Sequence, residues 1–154
     1  MLRRFTVILT SFLLPLSIQS QNRTDYNQKF TEGNLLILEG NYVQALKNFL
    51  WARNIDSTNA NINYKIGLCY LNTITERTKA LPYLEHAYKI TGDVPGINYL
   101  LAAFYLHSGN IEKASRHLAF AVEIDKDLFN EFDEFFPLDL RTGKIAALLK
   151  KNGL

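Results

Sequence analysis

Small and large apolar residues recur three and four apart in three stretches of the chain. Gly33, Leu36, Ala45, Phe49 and Ala52 form the first set. Gly67, Tyr70, Ala80, Leu84 and Ala87 form the second, and Ala102, Tyr105, Ala114, Leu118 and Ala121 the third. Such spacings put residues on one face of an α-helix. A small residue on that face lets a neighbouring helix come close, and the large residue between two small ones fills the gap. Each stretch therefore predicts two helices packed as a hairpin. Gly33 to Gly67 and Ala80 to Ala114 are both 34 residues, while Ala45 to Ala80 is 35, so the second unit carries one extra residue between its helices. A hairpin of this kind cannot bury its whole apolar face alone and needs a neighbour to stack on.

The polar breaks fall where this scheme needs turns. Gly40-Asn41 and Gly109-Asn110 occupy the same place in the first and third units, and both residue types accept the left-handed backbone that ends a helix. The second unit has Asn72 to Arg77 instead, with Thr75 or Thr78 as candidate caps for a late-starting helix that places Pro82 about one turn in. Residues 56–59 and 91–95 read as loops between units.

The pattern resembles the tetratricopeptide repeat (TPR) family over about residues 26–128. It departs from that family where Lys29, Asn63 and Asn98 replace an early aromatic, and where Ser57, Gly92 and Lys126 replace a closing proline. The resemblance implies an all-α fold: a right-handed α-solenoid of three TPR hairpins, over 26–59, 60–94 and 95–128, with C-terminal capping helices over 129–154. In that last segment Leu128, Phe129, Phe132, Phe135 and Phe136 alternate with Glu131, Asp133 and Glu134, and Pro137 ends the helix. A second short helix starts at Thr142-Gly143, carries Ile145, Leu148 and Leu149, and stops near Gly153. The run from Gly40 to Leu84 also resembles the N-terminal TPR segment of bacterial envelope proteins that carry β-propeller and OmpA-like domains.

The first 20 residues have another character. Arg3 and Arg4 precede an apolar stretch from Phe5 to Leu16, Pro15 marks a helix break, and Ser20 precedes polar Gln21-Asn22-Arg23. That order predicts a signal peptide over 1–20 cleaved after Ser20, followed by a short tail over 21–25. It implies a periplasmic or outer-membrane-associated mature protein, with an N-terminal membrane anchor as the alternative. The apolar stretch is short of the roughly 20 residues that span a bilayer.

Charge and candidate chemistry narrow the function. Removing Arg3 and Arg4 lowers Lys+Arg from 17 to 15, equal to the 15 Asp+Glu, so the mature chain has no electrostatic reason to hold nucleic acid. Cys69 is the one cysteine and sits in an apolar helical run, so a buried core thiol is expected. His86, His107 and His117 match no metal-ligand spacing and read as surface histidines, although His107 and His117 flank one turn. Glu112 and Arg116 read as a surface ion pair. With no phosphate loop and no activated nucleophile, the reading is of a non-enzyme with no cofactor, no metal and no small-molecule substrate.

By resemblance, the first helix of each hairpin lines a concave face that takes a protein or peptide. The candidate partner-binding residues are Phe30, Asn34, Tyr64, Lys65, Leu68, Asn72, Tyr99, Ala103 and His107. Only Asn34 and Lys65 match the cluster with which some TPR domains grip a C-terminal carboxylate. The implied role is an adaptor or scaffold in the bacterial envelope. The alternative is a self-associating structural subunit, with Trp51 or the Phe-rich tail in the contact.

Overall fold

A computed structural model describes residues 3–92 and 96–154, with side chains from Gln21 onward. The chain is all-α: eight α-helices and short 3-10 turns, with no strand among the described residues. The helices are α1 (Arg3–Leu38), α2 (Tyr42–Ile55), α3 (Ala60–Leu71), α4 (Ala80–Thr91), α5 (Ile97–His107), α6 (Ile111–Ile124), α7 (Phe129–Phe132) and α8 (Gly143–Asn152). Contacts divide the chain into two units, residues 1–56 and 57–154.

In the first unit α1 and α2 pair as a hairpin. Their close approach is fixed at Gly33, where an added Cβ would sit 2.8 Å from the Phe49 ring. Gly40 closes the turn at φ +73°, and Asn41 starts α2 by accepting the Gln44 N–H at 3.3 Å. Glycine thus ends one helix and asparagine begins the next, a division of labour finer than the sequence reading assigned. The backbone of α1 is helical without interruption from Arg3 to Leu38, so the break expected at Pro15 is absent and residues 21–25 are helical. A proline removes one hydrogen bond from a helix, which its flanking turns can bridge. Met1, Leu2 and the side chains of the expected signal peptide lie outside the described residues, as does the Asp93–Pro95 part of the expected loop.

The second unit holds two more hairpins, α3 with α4 and α5 with α6, and α5 packs on both α3 and α4. At Gly67 an added Cβ would lie 2.3 Å from a Leu84 methyl, so the second hairpin closes on a small residue as the first does. Ala80, Leu84, Ala87, Ala114, Leu118 and Ala121, all repeat positions, are buried. Asn63 and Asn98 stand where an aromatic was expected and are buried with partners. Asn63 donates to the carbonyls of Ser57 (3.0 Å) and Asn59 (2.8 Å), tying α3 to the loop before it. The Asn98 side-chain oxygen meets His117 Nδ1 at 2.9 Å, across the third hairpin.

Two local expectations are corrected. Residues Ile74–Lys79 form a 3-10 turn, and α4 begins at Ala80 with neither Thr75 nor Thr78 as its cap. Pro82 then stands third in the helix, where no intrahelical N–H is needed. Glu112 pairs with Lys144 of α8 at 2.5 Å rather than with Arg116, because α8 packs along α6.

The C-terminal segment is broken into short pieces. α7 passes into a 3-10 turn over Asp133–Phe135, a second 3-10 turn covers Leu138–Leu140, and α8 ends at Gly153 with φ +76°. α7 packs on α5 and α8 on α6. Phe129, Phe132, Phe135 and Phe136 are buried, while Asn130, Glu131, Asp133 and Glu134 are exposed.

Candidate functional site

The candidate binding residues divide between the two units. In the first, Phe30 stacks on Tyr26 (centroids 6.2 Å apart) and meets Phe49 edge-on (5.8 Å), and Asn34 donates to the Phe30 carbonyl at 3.0 Å. Both are half-buried. Phe30 is therefore partly spent in closing its own hairpin.

In the second unit α3 buries Ile62, Ile66, Cys69 and Tyr70 and turns Tyr64, Lys65, Leu68 and Asn72 to another face. These four, spaced one, three and four apart, are each half-buried. The Lys65 ammonium lies 5.8 Å from the Tyr64 ring centroid, and burial lowers its pKa. Asn72 donates to the Leu68 carbonyl at 3.1 Å, satisfying the last turn of the helix. Burial pushes the Tyr64 hydroxyl up to about 12, with the Glu131 carboxylate of α7 adding to it.

The α5 candidates behave differently. Tyr99 is 1% exposed and Ala103 fully buried, which corrects their assignment to an open face. All ten residues from Ile97 to Leu106 are buried. α5 is apolar all round, and such a helix must be covered on every side. The cover is the chain's own Phe-rich segment. Phe132 stacks on Tyr99 with centroids 5.2 Å apart and Phe129 lies 6.0 Å from the same ring. His107 is half-buried, and its Nε2 meets the Phe135 carbonyl at 3.1 Å. An oxygen acceptor there fixes the proton on Nε2. Burial is the main cause holding the His107 pKa below its ordinary value, and the neighbouring Arg77 adds to it. Gly96, with φ +79°, makes the hollow for this cover: a Cβ there would lie 2.2 Å from Phe132 Cζ and 3.1 Å from the Tyr64 hydroxyl. Tyr64, Tyr99 and His107 are thus brought together, around residues 129–136.

A second recess, of about 270 Å³, lies between α4, α5 and α6 and is lined by Glu85, Tyr88, Lys89, Leu101, Tyr105 and His117. Sequence reasoning missed it, because its polar groups come from three helices and match no linear motif. Tyr105 donates to Glu85 at 3.2 Å and lies parallel to the His117 ring at 5.6 Å, while Tyr88 meets that ring edge-on at 5.8 Å. The His117 pKa is held below its ordinary value, chiefly by burial and then by Arg116 and Lys113. His107 and His117 are therefore half-buried groups with named partners, not the surface residues expected. Cys69 is buried as expected, with its thiol pushed up to about 12 by burial.

Among the described residues no three His, Cys, Asp or Glu side chains gather as a metal site, and no helix is long and apolar enough to cross a membrane. No protein-family model matches the chain, and no curated protein matches it.

Proposed function

We propose that this chain is an exported TPR-type adaptor that binds a protein or peptide in the bacterial cell envelope through the α3 face and its continuation toward α5. The observation that carries the reading is the row Tyr64, Lys65, Leu68 and Asn72, half-exposed on the helix that opens the second hairpin. An aromatic ring, an apolar side chain and two hydrogen-bonding groups on one rigid helix suit a peptide with apolar anchors. The TPR assignment and the solenoid arrangement rest on the repeated small-to-large packing, seen at Gly33 against Phe49 and at Gly67 against Leu84. Catalysis forms no part of the proposed role.

Affinity capture from native envelope with wild type and with Tyr64→Ala/Leu68→Ala tests it. Truncating two anchors of a docking face should cut recovery of the specific partner roughly tenfold, with far-UV circular dichroism unchanged. Equal recovery rejects this face. Export is tested by the mature N-terminus: mass spectrometry of the natural protein should find it at Gln21.

The rival reading is self-association through Trp51 or the Phe-rich tail, and burial of the phenylalanines disfavours the tail. Phe129, Phe132, Phe135 and Phe136 are each at most 7% exposed in a single chain. Trp51 is half-buried.

A further inference from the structure

We infer that the α3–α5 face is a receptor for segments bearing phenylalanine at every third position, and that residues 129–136 are its built-in competing occupant. This rests on the docking function proposed above and specifies the partner's chemistry.

The occupant displays that chemistry. Phe129, Phe132 and Phe135 are three apart and buried, and the intervening Asn130, Glu131, Asp133 and Glu134 face solvent. Phe132 fills the hollow at Gly96 and lies flat on Tyr99, and His107 takes the Phe135 carbonyl. None of these receptor features depends on the occupant being covalently attached. Lys65 and Arg77 lie on the receptor side, close to Tyr64 and His107 respectively, and Glu131 approaches Tyr64.

The occupant has little regular structure of its own. α7 is four residues long and its 3-10 turn three, too short to hold a helical form alone. The residues joining it to α6, Asp125 to Asp127, are exposed, and the Asp125 carbonyl is held by the Tyr99 hydroxyl. Arg141 braces the far end by pairing with Asp133 and donating to the Phe136 carbonyl, both inside the same segment. An incoming segment with the same anchors replaces like with like, so the tail lowers its apparent affinity by the fraction of time the face is covered.

The test uses a labelled peptide of residues 126–141, titrated into the full wild-type chain and into the full-length Phe132→Ala/Phe135→Ala variant. The variant should bind it roughly tenfold tighter, because its own tail competes less. Excess peptide should also speed amide exchange over residues 129–136 of the wild-type chain, read by hydrogen–deuterium exchange. A peptide with its phenylalanines replaced by alanine should do neither. Absence of binding to both proteins, or equal affinity for both, overturns the inference. If the variant loses its helical spectrum, the wild-type exchange decides alone: faster exchange supports the inference and unchanged protection overturns it. Failure here leaves Tyr64-dependent capture standing, whereas failure of that capture rejects the docking function itself.

Discussion

Phe132 lies on Tyr99 with ring planes 11° from parallel, and the Tyr99 hydroxyl donates to the Asp125 carbonyl at 2.7 Å. One tyrosine thereby holds both the end of the third hairpin and the segment that covers it. Phe132→Ala should cost about 3 kcal/mol, from lost burial and a lost ring contact. Urea unfolding followed by tryptophan and tyrosine emission measures it. A loss below about 1 kcal/mol, the level of ordinary surface changes, would mean the segment contributes little to the fold.

Helix approach in the second hairpin is set by Gly67. In Gly67→Ala the new methyl would meet Leu84 Cδ2 at 2.3 Å and Cγ at 2.5 Å, so a side chain or a helix must move. Overpacking of this kind costs about 1–3 kcal/mol. In a double-mutant cycle with Leu84→Ala the two losses should be less than additive, because the smaller residue vacates the space the methyl needs. Strict additivity would show that the two positions do not share a contact.

Acid should weaken the fold through two histidines. Burial holds both His107 and His117 below the ordinary value of 6.5 in the folded chain. The unfolded chain then binds more protons, so stability is full above about pH 6.5 and falls as pH drops toward the depressed folded values. Below those values the effect levels off. Urea midpoints between pH 7.5 and pH 4.5 should show this decline, and His117→Gln should flatten part of it.

Cys69 should be chemically silent in the folded state. Its thiol is buried and raised to about 12, so the thiolate that reacts is scarce and inaccessible. Ellman's reagent at pH 8 should label it fully in denaturant and only at the rate of opening without denaturant. Immediate labelling of the native chain would contradict this packing.

Most of the local structure was legible in the sequence. The 34-residue period, the Gly-Asn turns and the small residues facing large ones each have a short-range physical cause. Gly33, Gly67, Ala80, Ala114 and Cys69 are buried as their spacing predicts. The site was less legible. Tyr64, Lys65, Leu68 and Asn72 share a face of α3, but Tyr99 and Ala103 are buried. A signal for that burial was present: Ile97 to Leu106 is apolar on all sides except for Asn98, which a groove-lining helix would not be. The recess around His117 gave no such signal, since Glu85, Asn98 and Tyr105 meet it only after α4, α5 and α6 have packed.

The sequence by itself determined that the chain folds as helices, where the Gly-Asn turns fall and which small residues face large ones, because turns and periodicity act over a few residues. Tertiary structure alone decided what lies against those faces. It set Glu112 on Lys144, 32 residues away, and His107 on Phe135, 28 residues away. It also laid Phe132 of the capping segment flat on Tyr99 of α5. Such choices depend on which surfaces meet in space, and no spacing along the chain encodes them.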